Sequence, residues 1–150
     1  SGDEAAEAQL IRLVRRERAP ATGDEKEDPA PIPQEVSFKA RDELAGIHTS
    51  EAIESYLVEI SFAPRYPERY SDELKQWLEV GASPRGGIGL DKCSRAHAWL
   101  QGRDYVTPED IRAVVHNVLR HRLILSYEAN AEGITADRAI KEIMSQVAVP

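Results

Sequence analysis

The sequence is short of several things, and each shortage removes a class of function. It has one cysteine, Cys93, and four histidines in 150 residues. An internal disulfide is impossible, and a structural zinc site would need three more ligands gathered from scattered histidines and acids. A lone thiol fits a reducing, cytoplasmic setting. No apolar run approaches the roughly 20 residues of a membrane helix. The opening Ser1-Gly2-Asp3-Glu4 has neither the basic nor the apolar region of a signal peptide. The chain therefore reads as soluble, with no membrane partner, and without an initiating methionine it reads as a piece of something longer. Basic residues are also scarce, 19 against 26 acids, for a net charge of −7. That balance argues against a nucleic-acid partner, because such binding draws on counterions displaced by clustered Lys and Arg.

Signatures of self-contained catalysis are missing as well. No G-x-x-x-x-G-K-[ST] phosphate loop occurs, and Gly86-Gly87-Ile88-Gly89 is no substitute, since it lacks the lysine and follows no strand. Gly81-Ala82-Ser83-Pro84-Arg85 has the outline of the hydrolase elbow G-x-S-x-G, but Arg85 stands where the second glycine belongs and the context is a helix start. His116 and His121 are five apart, whereas two ligands on one helix face stand three or four apart. No metal site is expected.

What is present is helical periodicity. Residues 1–18 place acids early and Arg12, Arg15, Arg16 and Arg18 late, the order that suits a helix dipole, with Ala6, Leu10, Leu13 and Val14 at helical spacing. Residues 19–35 hold Pro20, Pro29, Pro31 and Pro33 and the run Asp24-Glu25-Lys26-Glu27-Asp28, with almost nothing apolar to bury. This composition predicts a flexible acidic linker. From 36 to 150 the pattern predicts one all-α domain, a small helical bundle. One stripe is Val36, Ala40, Leu44 and Ile47, and a second is Ile53, Tyr56, Leu57 and Ile60 behind a Thr49/Ser50 cap. A short helix is predicted over 71–80, with Leu74, Trp77 and Leu78 on one side. Ser83 as N-cap and Pro84 at the first helical position predict a helix running to about Gln101, ended by Gly102 and burying Cys93, Ala96, Trp99 and Leu100. Thr107-Pro108-Glu109-Asp110 is a stronger start for the stripe Ile111, Val114, Val115, Val118 and Leu119. A non-helical crossing is expected over 123–133. Behind Thr135, Ala136, Ala139, Ile140, Ile143, Met144 and Val147 form the last helix, and no sheet is expected.

Two features ask for a chemical explanation. Arg85 sits in a first turn, where the helix already carries about half a positive charge and prefers an acid. An arginine beside unpaired helix-start N–H groups suits a phosphate or carboxylate; equally, Arg85 could pair with a local acid such as Asp91 or Glu79. Gly86, Gly87 and Gly89 each cost the helix about 1 kcal/mol relative to alanine. Either the backbone there approaches another surface, or the first turns are loose. By contrast, His97 reads as a satisfied half-buried side chain, and Arg120-His121-Arg122 as last-turn cations favoured by the dipole.

Taken in order and spacing, Gly81-Ala82-Ser83-Pro84-Arg85, Gly102-Arg103-Asp104-Tyr105-Val106-Thr107-Pro108-Glu109-Asp110, Leu119-Arg120-His121-Arg122-Leu123 and Glu132-Gly133 resemble the C-terminal lid of a MoxR-type AAA+ ATPase. The resemblance covers about residues 36–150, and 1–18 resembles the helix leading out of the ATPase core. It implies that Arg85 is the sensor II arginine, the candidate catalytic residue, acting with a core this chain does not contain. Ser83 and Arg85 are then the candidate cofactor-binding residues. ATP with Mg would be bound by the full-length protein and not by this segment alone, which lacks Walker A and Walker B. The partners implied are the chain's own AAA+ core, neighbouring protomers of a hexameric ring, a von Willebrand A-domain protein and a client enzyme whose assembly or activation is driven chaperone-fashion. Gly86-Gly87 departs from the family's small and hydroxyl residues after the arginine. In the clade, an extra helix before the sensor can displace the lid, so Arg85 would serve its own subunit or a neighbour; 71–80 is the candidate for that helix.

The alternative is a free-standing helical interaction or regulatory module with no nucleotide role, in which Arg120-His121-Arg122 meets an acidic partner. Limited proteolysis of this chain is expected to cut first within 19–35. Resistance there would show that the segment is ordered.

Overall fold

Serine and threonine side chains start most of the helices. The computed structural model describes residues 41–79 and 86–150. After a helical turn at 41–45, helix α1 (Glu51–Phe62) begins where Ser50 Oγ accepts from Ile53 N at 3.2 Å. Two 3-10 turns follow, Ala63–Arg65 and Pro67–Arg69, each with a proline in its opening positions. Helix α2 (Asp72–Trp77) starts at Ser71, whose Oγ accepts from Leu74 N at 3.0 Å. Helix α3 is Gly86–Leu100 and α4 is Pro108–Leu119. Helix α5 (Tyr127–Ala131) is capped by Ser126, and α6 (Ala136–Gln146) by Thr135. Each such cap satisfies an N–H that the helix itself cannot.

The apolar stripes meet in one core. Helix α3 packs on α4 and α1, while α6 packs on α4 and α2. Ile60, Leu74, Leu90, Ile111, Ile140 and Ile143 are wholly enclosed. The expected all-α fold is the one observed, and among the described residues the extended pairing amounts to two single bridges, His48 with Tyr105 and Leu78 with Leu125.

Several boundaries differ from expectation for local reasons. Helix α2 stops at Trp77 rather than near residue 80, because Leu78 turns extended (φ −108°, ψ 134°) and Glu79 N donates to Ile124 O at 2.9 Å. The crossing 123–133 is not wholly irregular: Ser126 caps the five-residue α5 before Gly133 turns out at φ +76°. Gly102 ends α3 as expected, also at φ +76°, a left-handed conformation that favours glycine. In α3, Cys93 and Ala96 are buried, whereas Trp99 and Leu100 are only half-buried. All five residues of the α4 stripe are buried. The segments 1–18 and 19–35, together with Val36 and Ala40, lie outside the described residues.

Ile111→Ala removes a side chain with 0% exposure and is expected to cost about 2–5 kcal/mol. Ile88→Ala, at 62% exposure, is expected to stay within about 0.5 kcal/mol. Urea midpoints of the two variants check the contrast.

Candidate functional site

Ser83 and Arg85, the two residues singled out for nucleotide contact, lie outside the described residues. The positions on either side of them are described. On one side, Leu78 and Glu79 are tied to the 124–125 crossing by the bridge and hydrogen bond above. On the other, α3 begins at Gly86 in close contact with two neighbouring helix ends. A β-carbon on Gly86 would stand 3.3 Å from Leu119 Cδ2 and 3.5 Å from Arg122 Cδ. One on Gly87 would stand 3.1 Å from the Oγ of Ser61, which itself donates to Leu57 O at 2.7 Å. Close approach thus explains Gly86 and Gly87: the described start of α3 lies between the C-terminal ends of α1 and α4. The propensity lost to glycine is offset by that packing.

The electrostatics of this edge are unusual within the bundle. Glu51 and Glu54, Asp72 and Glu73, Glu109 and Asp110, Glu128, and Asp137 occupy the first turns of α1, α2, α4, α5 and α6 respectively. Helix α3 has no acid in its first turn. Of the two acids considered as local partners for Arg85, Asp91 is engaged one turn along α3, where Arg95 Nε donates to its Oδ1 at 3.1 Å.

The basic run after α4 is divided rather than pooled. Arg120 Nε donates to Asp137 Oδ1 at 3.0 Å, and His116 Nδ1 lies 3.0 Å from the same oxygen. Hydrogen bonds from Arg120 and His116 hold the Asp137 carboxyl below its usual range. Arg122 instead runs its aliphatic stem past Gly86. Among the described residues, no group of His, Cys, Asp and Glu could hold a metal ion.

The most heavily bonded polar cluster was not singled out from the sequence, where Asp110 read only as a first-turn acid. Its side chain has 0% exposure. Arg103 grips it with both terminal nitrogens, Nη1 to Oδ2 at 2.6 Å and Nη2 to Oδ1 at 2.7 Å. Thr107 N donates to Oδ2 at 2.7 Å and Thr107 Oγ1 at 3.0 Å, while His97 Nδ1 lies 2.6 Å from Oδ1. Burial alone would raise the Asp110 pKa, but the bonds from Arg103, Thr107 and His97 outweigh it and bring it down to about 2. The Thr107-to-Asp110 spacing was a legible signal for a capping box; Arg103 and His97 gave none, since they converge only in three dimensions. His97 is half-buried and partnered, as expected. A groove of about 630 Å³ between the 43–47 turn and the Trp99–Asp104 turn offers no second centre. Its main polar groups are partnered, Trp99 Nε1 with Glu43 Oε2 at 2.7 Å and Arg103 with Asp110.

The AAA lid domain family matches residues 74–143. The chaperone MoxR1 of Mycobacterium tuberculosis is 41% identical over 100 residues, covering 66% of this chain and 26% of that protein. The protein MoxR of Paracoccus denitrificans is 37% identical over 97 residues, covering 60% of this chain and 29% of its own length. A solved structure from Cytophaga hutchinsonii, assigned as an ATPase, superposes with a TM-score of 0.72 at 38% identity, over 76% of this chain and 35% of that one. The chain thus spans about a quarter to a third of the length of these relatives.

The Asp110 cluster gives a pH prediction with a definite sign. Its folded pKa of about 2 lies below the ordinary 3.8, so its stabilisation is complete above about pH 4 and is lost as the pH falls toward 2. Asp110→Asn leaves the Arg103 guanidinium, 26% exposed, without its counter-charge and is expected to cost about 3 kcal/mol at neutral pH. The variant's stability curve is expected to be flatter between pH 4 and 2. Denaturant titrations across that range check both statements.

Proposed function

This chain belongs to the AAA lid domains of MoxR-type AAA+ ATPases, and from that premise we propose that it senses bound ATP through Arg85. The observation that carries the reading is the start of α3: an acid-free first turn, cleared by glycines to pack on two neighbouring helix ends, directly following Arg85 in the sequence. A guanidinium at such an end adds to the positive end of the helix dipole and meets its natural complement in a phosphate. The described residues fit that role, since an anion here encounters no competing first-turn carboxylate. Mg-bound ATP, held by the core domain, supplies the transferable phosphoryl group. The lid's part is to present Arg85, with Ser83 as the second cofactor-binding residue, so that charge developing on the phosphoryl oxygens is met by a fixed cation.

On this reading, the lid couples ATP hydrolysis to chaperone-like assembly or activation of other proteins. It packs on its own AAA+ core and on neighbouring protomers of a hexameric ring, with a von Willebrand A-domain protein and a client enzyme as further partners. Exposed Phe62 and Ile88, the chain neighbours of the touching Ser61 and Gly87, supply apolar surface beside the proposed site for that packing. Among the described residues no helix is long and apolar enough to cross a membrane, and the buried thiol of Cys93 suits a reducing cytoplasm. The rival reading as a free-standing module loses support where Arg120 is already committed to Asp137.

The test is steady-state ATP hydrolysis by the protein that includes the ATPase core, with Arg85 and with Arg85→Ala at matched concentration. A loss of at least tenfold, about 1.4 kcal/mol of transition-state stabilisation, is expected with fold and assembly intact. An unchanged rate would remove Arg85 from the nucleotide site.

A further inference from the structure

We propose that the outer side of α1 pairs with the same surface of a second copy of this chain across a two-fold axis. Glu51, Ser55, Val58 and Phe62 follow one another at the spacing of one helix face, and all four are exposed, while Ile60 between them is wholly enclosed on the opposite side. Past Phe62 the chain continues in the two 3-10 turns, where Arg65 and Arg69 extend the line. Arg65 lies over the Phe62 ring, 5.4 Å from its centre, and Arg69 over that of the exposed Tyr66, at 4.4 Å. Exposed apolar side chains gathered on one element in this way mark an interaction surface rather than scatter.

The order along the line identifies the occupant. It runs acid, polar, apolar, apolar, base, base. A second copy laid antiparallel, with the axis level with Ile60, sets Val58 against the second copy's Phe62, Ser55 against its Arg65 and Glu51 against its Arg69, and the symmetry makes each contact twice. A parallel copy would instead set Glu51 on Glu51 and Arg69 on Arg69. Neither Glu51 nor Arg69 takes part in an ion pair among the described residues. Glu59 stands to one side, near Tyr70, whose pKa is raised by burial and then by the Glu59 charge. A wholly basic strip would call for an acidic partner; one that carries both signs in this order is complementary to itself. One helix face buries less than the roughly 1,200 Å² of a standard stable interface, so the pairing is weak and depends on concentration. An isologous contact closes at two copies and is therefore additional to the ring contacts proposed above. Phe62, at the end of α1 that touches the start of α3, borders both surfaces. The contact leaves the nucleotide site aside, so the sensing reading of Arg85 stands or falls separately.

The test is sedimentation equilibrium of this chain up to about 1 mM, with thermal melting to establish that each variant is folded. A monomer–dimer equilibrium is expected for the parent. Glu51→Arg alone and Arg69→Glu alone each turn two attractive pairs into repulsive ones, and each is expected to raise the dimer Kd at least fivefold. Mixed in equal amounts, the two variants regain both attractive pairs in the heterodimer, and the mixture is expected to associate within threefold of the parent. Phe62→Ser is expected to raise Kd at least fivefold, and Tyr127→Ser, an exposed aromatic on α5, to leave it unchanged. A parent that stays monomeric overturns the proposal and leaves the strip to another surface, the ATPase core first. So do trimers or larger species, a mixture no tighter than its separate components, a Phe62→Ser dimer as tight as the parent's, or a Tyr127→Ser effect as large as that of Phe62→Ser. Should a charge variant fail to fold, the Phe62→Ser and Tyr127→Ser pair decides.

Discussion

A carboxylate taken wholly out of water must be surrounded by donors, and the Asp110 cluster is the constraint on which the bundle's geometry depends. Its two oxygens accept from the turn that precedes α4, from the Arg103 guanidinium and from Thr107, and lie against His97 on α3. One side chain thereby begins α4, holds the connection from α3, and fixes the azimuth of α3 against α4. An apolar residue of similar size would fill the volume but leave the Thr107 N–H without its acceptor and the Arg103 guanidinium without its counter-charge. The cluster is better understood as a source of angular definition than of net stability.

Helix α3 carries that definition to its other end. Its 15 residues span about 22 Å at the standard helical rise. Near the C-terminal end, His97 meets Asp110; at the N-terminal end, Gly86 and Gly87 meet α4 and α1. A rod held at both ends transmits orientation in a way that a rod held at one end does not. The proposed sensor is attached to the end where small residues allow backbone to touch side chain, so displacement of α1 or of the turn after α4 would be felt there with little slack. Glycine, which weakens a helix in isolation, here makes its position tighter.

Much of this architecture was legible from local chemistry. Ser50, Ser71, Thr107 and Thr135 marked helix starts because a cap acts within three residues of itself. The α4 and α6 stripes could be read because their period is set by the same helix that displays them. Failures came where distant residues decide. Helix α2 ends at Trp77 because residues 124 and 125 arrive alongside Leu78 and Glu79, and nothing in 71–80 announces that arrival. Helix α5 was hidden because five residues cannot show a period, although Ser126 and Glu128 were its cap and first-turn acid. At the proposed site, the glycines posed a question whose answer, Ser61 and Leu119, lay 26 residues before one and 33 after the other. The Arg103 and His97 contacts to Asp110 belong to the same class.

A protein whose helix ends are otherwise locally consistent makes its inconsistencies informative. The other described helices start with an acid that complements the dipole, and α1, α2, α5 and α6 add a Ser or Thr side-chain cap. The described part of helix α3 opens on Gly86 and Gly87 with no acid in its first turn, and Arg85 precedes it in the sequence. Each choice is unfavourable for an isolated helix, and packing accounts for the glycines alone. The proposed occupant of that acid-free end is an anion complementary to Arg85. A mobile anion delivered by another domain would balance the charge only while it is bound. On the proposed reading that dependence is the coupling itself: the position of the lid is favourable in proportion to the negative charge presented to it, so loss of the terminal phosphate changes the equilibrium of the whole bundle relative to its core.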